Sequence, residues 1–402
     1  IYYPCKQENF LITIRMKKVL IIYEYFYPAY KAGGPVQSLV NMITALESST
    51  DYDFYVLTSA FDFGGQKLNT ELEVNTWNSV QLPNSKKPLK VCYTDSPNLQ
   101  KFVLNAKIQE IKPDIVYVNG LYTSWFNQVL WMNSSFQKTN IKLIISPRGM
   151  LQDGALAVKP LKKKLYLYVL NFLNKFRDVR WHATNESEKA DIMKRISTKA
   201  DIVIAHNVPK LPLEHISSHS TKKEFSLRLV YLSLITPKKQ LHSALQVLMN
   251  CQRHISFDIY GPVKDEAFWQ TCLDLIKNMP HNVTVTYKND VQPHHVQQIL
   301  SDYDAMFLPT LGENFGHAIY ESLSVGTPVI TSHFTPWNKL NEKKSGWNVD
   351  INTPESISQL IDELSDYDEK TWSLYRANAH NLAREYYLTS NFIKDYSTLF
   401  RQ

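Results

Sequence analysis

The chain has 402 residues, 44% of them apolar and 20% charged, with 12 Gly and 19 Pro, a composition able to bury large cores and a length beyond one ordinary domain. Its 44 Lys+Arg against 38 Asp+Glu leave a mild +6, spread along the sequence apart from a few short runs, which disfavours a general nucleic-acid binder. Four cysteines at positions 5, 92, 251 and 272 form no Cys-x-x-Cys pair, so neither a zinc site nor a disulfide framework is expected and a reducing, cytoplasmic setting fits best.

Ile1 to Arg15 carries a short apolar patch (Phe10, Leu11, Ile12, Ile14) that lacks the length and cleavage pattern of a signal peptide, so Met16 is read as the natural start. Lys17 to Tyr23 reads as a buried first strand, and no later stretch reaches the roughly 18 apolar residues of a membrane span. Gly33, Gly34 and Pro35 follow that strand and open a helix with the apolar stripe Val36, Leu39, Val40, Ile43 and Leu46. Glycines before a first-turn proline suit a loop that meets a ligand through its backbone. Further strands are expected at 54–57, 115–118, 143–145 and 202–205, then at 229–232, 257–260, 283–287, 305–308 and 329–331. Strands alternating with helical patterns predict parallel sheets covered by helices. The polar stretch from Asn207 to Phe225 interrupts the alternation, which gives a first domain over 16–206, a linker over 207–225, a second domain over 226–386 and a terminal helix within 387–402, capped at Ser390. Ligands in such folds lie at the carboxyl ends of strands, here in the cleft between the halves.

Several residues along this path are candidates for chemistry. Arg148 ends the strand before Gly149 and has the planar fork to hold a phosphate or a sugar. Lys159 to Phe176 begins with Lys162, Lys163 and Lys164 and carries an apolar stripe at 161, 165, 168, 169, 172, 173 and 176. Lysines in a first helical turn oppose the helix dipole. An anionic membrane surface or the diphosphate of a lipid-linked acceptor relieves them; the alternative is a core helix with a solvated basic end. Lys238 and Lys239 follow a strand end and are placed to neutralise a diphosphate leaving group; Gly261, just after the next strand, falls on the same side of the cleft. The Asp-x-Asp triplets at 51–53, 302–304 and 366–368 read as solvated turns, and His294-His295 lacks ligand spacing, so no metal or other cofactor is expected.

The most informative run is Asp304 to Thr331, read as strand, loop, helix, strand. Gly316 allows a tight turn, and the free amides around Phe315, Gly316 and His317 form a helix amino end suited to a phosphate. Glu313 and Glu321 would repel that phosphate unless they bond neutral hydroxyls, which points to a nucleotide sugar.

This run resembles glycosyltransferase family 4, the retaining transferases of the GT-B fold, marked by a Glu, seven residues and a second Glu; Glu313 to His317 and Gly326 to Ile330 share the likeness. The resemblance implies two Rossmann-like, doubly wound α/β domains facing across a cleft. It implies that Glu313 contacts the transferred sugar, Glu321 the ribose, and Gly33 and Gly34 the donor phosphates and acceptor. Lys239 aligns with the family's diphosphate lysine, whereas Leu234 stands where an arginine is usual, with Lys238 as a substitute. Ser146 to Leu151, the turn Asn119-Gly120 on the acceptor side, and the stretch holding His182 and Glu186 are similar to a subgroup making bacterial surface polysaccharides, such as lipopolysaccharide or capsule. The last helix would return to the first domain. The implied partners are a nucleotide-diphosphate sugar and a glycan or lipid-linked acceptor, with a cytoplasmic location peripheral to the membrane. The alternatives are a nucleotide-sugar epimerase of the same fold and a catalytically silent nucleotide-sugar or glycan-binding scaffold; a dehydrogenase is disfavoured because no Gly-x-Gly-x-x-Gly follows the first strand.

Overall fold

The protein is described from a computed structural model over residues 15–47, 51–68, 71–156, 160–213 and 226–401. The patch at 10–14, Lys159 and much of the expected linker, 214–225, lie outside the described residues. The first sheet contains β1 (Lys17–Ile22), β2 (Tyr52–Ser59), β3 (Trp77–Val80), β4 (Leu89–Thr94), β5 (Ile115–Asn119), β6 (Lys142–Ser146), β7 (Arg180–Ala183) and β8 (Asp201–Ile204). The second contains β9 (Ser226–Leu232), β10 (His254–Tyr260), β11 (Val283–Tyr287), β12 (Ala305–Leu308), β13 (Val329–Ser332) and β14 (Gly346–Val349). Their orders are β3-β4-β2-β1-β5-β6-β7-β8 and β11-β10-β9-β12-β13-β14.

Among the named strands β3 alone runs antiparallel to its neighbour. The central strands are buried along most of their length, as parallel strands covered on both faces must be: β5 and β12 expose no residue. The strands not anticipated from sequence explain themselves. β3 is a four-residue edge strand with one buried position, β4 breaks its apolar run at exposed Lys90, β7 has only four residues and includes Arg180 and His182, and β14 opens on a glycine.

In each sheet the chain winds outward from one strand, then restarts on that strand's other side, between β1 and β5 and between β9 and β12. These reversals leave a crevice at the carboxyl ends of the two strands. The loop after β1 carries Gly33-Gly34, and β5 ends on Asn119 before Gly120; the loops after β9 and β12 carry Lys238-Lys239 and Glu313.

The two lobes have separate cores, with the first packing helices on both faces of its sheet. The helix Glu369–Thr389 lies on the second core through Trp372, Ala379 and Ala383. The chain then crosses, and helix Phe392–Leu399 with Phe400 packs into the first lobe. Phe400 meets the rings of Tyr52, Phe54 and Tyr117, and Arg180 donates to the carbonyls of Leu399 and Arg401 at 3.1 and 2.6 Å, satisfying the helix's open carboxyl end. The cap differs from expectation: Asn391 accepts from the Lys394 amide, while Ser390 closes the preceding helix.

The helix Pro160–Phe172 presents the expected apolar stripe to solvent. Leu161, Leu165, Tyr168 and Phe172 are 83%, 64%, 68% and 75% exposed, and the residues buried against the lobe are Leu167 and Leu170. The helix thus joins the first lobe's core through its narrower face, with Leu167, Leu170 and Tyr166, while its larger apolar face is the outer one. No helix among the described residues is long and apolar enough to cross a membrane.

Candidate functional site

The two crevices face one another and enclose a cleft of about 320 Å³, lined by Gly33, Gly34 and Arg148 from the first lobe and by Lys238, Lys239, Gly261, Glu313, Phe315, Gly316, His317 and Glu321 from the second. Cations exceed carboxylates on its walls: Lys31, Arg148, Lys238 and Lys239 against Glu313 and Glu321. That excess favours an anionic ligand.

Local geometry places each second-lobe group. Gly261, at φ 138°, passes so close to β9 that a Cβ would lie 1.8 Å from the Ser233 carbonyl oxygen, so this crossing admits no side chain. The turn Pro237–Lys239 then brings both lysines to the cleft. Lys239 Nζ donates to Glu313 Oε1. Lys238 has no ion-pair partner among the described residues, and burial, reinforced by the neighbouring Lys239 charge, holds its ammonium below the usual lysine range. Gly316, left-handed at φ 79°, turns the chain into the helix His317–Ser324, whose first turn lines the cleft. Its unpaired amides and dipole give the cleft a positive end. Glu321, one turn further, is buried; desolvation raises its carboxyl pKa while Lys210, 3.3 Å away, opposes the rise.

The lobes touch at this level. Gly34 lies against His317, where a Cβ would come within 3.1 Å of the ring. The Ser38 hydroxyl donates to Asn207 and stands 2.6 Å from His317 Nε2, which donates to it. Desolvation pushes the His317 imidazole down to about 3, aided by the Arg148 and Lys210 charges, so it is neutral. Tyr30 donates to Asp290 at 2.6 Å, and Asn185 donates to the Asn314 carbonyl at 3.1 Å.

On the first lobe the polar groups are engaged with one another. Arg148, left-handed at φ 54°, donates through Nε to Asn119 and through its terminal nitrogens to Asn207 and the Tyr117 hydroxyl. Tyr117 donates to His182 Nδ1 at 2.8 Å, which leaves His182 Nε2 to donate to the Ala205 carbonyl. Burial pushes His182 down to about 3, consistent with this neutral tautomer. The strained Arg148-Gly149 turn is gripped by Glu188, which accepts from the Gly149 amide at 2.6 Å and from the Thr184 amide and hydroxyl.

The structure therefore gathers Arg148, Gly33, Gly34, Gly261, Lys238, Lys239, Glu313, Phe315, Gly316, His317 and Glu321 into one cleft. Lys162, Lys163 and Lys164 lie elsewhere, on the Pro160–Phe172 helix, with Lys163 donating to the Ala155 carbonyl. Asn119 does not join them: it is buried beneath Arg148. Glu186 is exposed and pairs with Lys189, while the structural carboxylate of that stretch is Glu188, two residues on and on the inward side of the helix. Leu234 packs near Gly33 across the cleft. Asn207, Lys210, Glu188 and Asn314 were not anticipated; Asn314 lay within the Glu313 run, whereas Lys210 lies in a linker without periodicity. The Asp-x-Asp residues serve the fold: buried Asp304 accepts from Arg228 and Arg376, Asp366 pairs with Arg253, and Asp368 caps a helix.

Residues 214–380, less than half of the chain, match the family model described as glycosyl transferases group 1. None of the curated proteins compared with the chain matches it in sequence. Among solved structures it is similar to HepE of Anabaena in complex with UDP and glucose (14% identity, TM-score 0.67, covering 95% of this chain and 98% of that one). It is also similar to sucrose-phosphate synthase of Thermosynechococcus elongatus (13%, 0.67, 96% and 99%). A third is WaaG, a glycosyltransferase involved in lipopolysaccharide biosynthesis (12%, 0.62, 95% and 98%). The fold is the GT-B arrangement, two Rossmann-like lobes facing across a cleft.

Proposed function

We propose that the protein is a retaining glycosyltransferase that moves a sugar from a nucleoside-diphosphate sugar to a glycan or lipid-linked acceptor. The observation that carries this reading is the convergence of Lys238, Lys239, Glu313, Glu321 and one helix amino end on a single cleft. Cations and amides suit the diphosphate; the carboxylates suit hydroxyls, Glu313 on the sugar and Glu321 on the ribose. HepE's complex with UDP and glucose, on the same fold, makes UDP-glucose the first donor to test.

The acceptor hydroxyl attacks the anomeric carbon on the face from which the diphosphate departs. The new C–O bond forms as the bond to the diphosphate oxygen breaks, and the hydroxyl proton passes to that leaving oxygen. Lys239 and the helix end stabilise the growing negative charge, worth several kcal/mol in such sites. Glu313, paired with Lys239, orients the sugar rather than attacking it. No step requires a metal. Nuclear magnetic resonance of the product tests this: retained anomeric configuration with a chelator present is expected, and inversion, or epimerised donor formed without acceptor, contradicts it.

The same reading places the protein at an anionic membrane surface through the Pro160–Phe172 helix. From Gly154 to Arg177 the sequence has six cationic residues and no acidic one, beside the exposed face of Leu161, Leu165, Tyr168 and Phe172, the combination that seats a helix in a lipid interface. Lys162→Glu with Lys164→Glu is expected to abolish sedimentation with phosphatidylglycerol vesicles and leave turnover of a soluble acceptor unchanged. Persistent sedimentation contradicts this placement.

A further inference from the structure

The segment 205–213, which leads out of the first lobe, carries one side chain into the cleft's charge network. Its first part is tied to the first lobe, where Asn41 donates to the Val208 carbonyl at 3.0 Å. Its later part is tied to the second, where Gln297 donates to the Leu211 carbonyl at 3.3 Å and His380 to the Leu213 carbonyl at 2.7 Å. Lys210 stands at the changeover. Its ammonium donates to the Pro293 carbonyl at 2.5 Å and lies 3.3 Å from Glu321 Oε1, with both side chains largely shielded from water.

We propose that Lys210 is a positioning residue for the nucleotide: it pairs with Glu321 and holds that carboxylate ready to accept from the ribose hydroxyls. The proposal rests on Glu321 being the ribose contact. The geometry supports it in two ways. The Pro293 bond fixes the ammonium, so the carboxylate is anchored through one oxygen and keeps lone pairs for a diol. In addition, a buried carboxylate otherwise takes up a proton and loses acceptor capacity.

The other polar and titratable groups around Glu321 do not substitute for Lys210. On its own helix His317 is neutral and Tyr320 is a phenol held well above its usual range by burial. The helix Glu369–Thr389 brings Tyr386, similarly raised, and the helix Val296–Leu300 brings the uncharged Gln297. Ser38 reaches His317 from the first lobe, and Arg148 is bound to Asn119, Asn207 and Tyr117. Among the described residues Lys210 is the one cation paired with Glu321. Because the connecting segment is tied to both lobes around Lys210, Glu321 is linked to the segment that joins them.

Calorimetric titration of UDP and 2′,3′-dideoxy-UDP into the wild type, Lys210→Met, Lys210→Gln, Lys210→Arg and Glu321→Gln proteins, between about pH 6 and about pH 8.5, tests the proposal. Removing the cation takes away the charge that opposes the burial-driven rise of the Glu321 pKa, so binding is expected to weaken toward the acid end of that window. Lys210→Met and Lys210→Gln are expected to bind UDP roughly tenfold more weakly than wild type near pH 6 and to recover as pH rises, with Lys210→Arg close to wild type. Dideoxy-UDP is expected to be indifferent to all four substitutions. Equal loss of UDP and dideoxy-UDP at every pH, or no loss, overturns the positioning role. Unaltered UDP binding by Glu321→Gln overturns the ribose reading itself, whatever the Lys210 variants do.

Discussion

The two crevices are topological equivalents built to opposite ends. At β9 and β12 the charged groups stand at the cleft wall: Lys238 has no ion-pair partner among the described residues, and Lys239 and Glu313 neutralise only each other. At β1 and β5 the corresponding polar groups are largely used up, with Arg148 bonded to Asn119, Asn207 and Tyr117 and its turn held by Glu188. The first arrangement exchanges partners when an anion arrives, and the second resists exchange because each member satisfies another in a dry setting. One side of the cleft therefore presents exchangeable charge, and the other presents a wall of mutually satisfied groups.

Substitutions break this contrast in order of expected size. Arg148→Met leaves Asn119, Asn207 and Tyr117 without their shared donor, and a loss of about 3 kcal/mol or more in urea unfolding is expected; an unmoved midpoint would make the network dispensable. Glu313→Gln is expected to do the reverse, lowering turnover at least roughly tenfold, or about 1.4 kcal/mol of transition-state stabilisation, with the urea midpoint unchanged. A stability loss as large as that of Arg148→Met would erase the distinction. Beside these substitutions, the contrast also has a pH signature. His182 and His317 are held down to about 3 in the folded protein from 6.5, so between those values the unfolded chain binds more protons. Stability is complete above about pH 6.5 and falls as pH drops toward 3. Thermal melts of His182→Gln are expected to show a shallower fall over that range, and an identical slope would remove His182 from the account.

The sequence revealed the exchangeable side better than the rigid one, for a physical reason. Glu313, Gly316 and Glu321 lie within nine consecutive residues, because one strand-loop-helix unit presents them, and Lys238 and Lys239 follow a single strand end. The network on the first lobe assembles from residues at 117, 119, 148, 182, 188 and 207, two strands, a turn, a helix and the connecting segment that only the tertiary fold brings together. Arg148, His182 and Asn119 were legible as candidates, but the bonds joining them and the roles of Tyr117 and Asn207 were not, and Glu188 was passed over for Glu186 because helix phase, not spacing, decides which points inward. The Pro160–Phe172 helix shows the same limit: its stripe was readable, but which side faced the lobe was set by its packing through Leu167 and Leu170. The parallel, helix-covered character of both sheets was implied by alternation, whereas their strand orders were not, and the short edge strands β3 and β14 carry too little pattern to stand out.

Isothermal titration of UDP, GDP and ADP into the wild-type protein and Lys239→Ala, with a chelator present, tests the central claim most directly. One diphosphate binding the wild type without metal, and binding Lys239→Ala at least about tenfold more weakly, is the predicted result. Absence of binding by all three, or equal affinity for both proteins, would contradict the assignment of the β9–β12 crevice as the donor site.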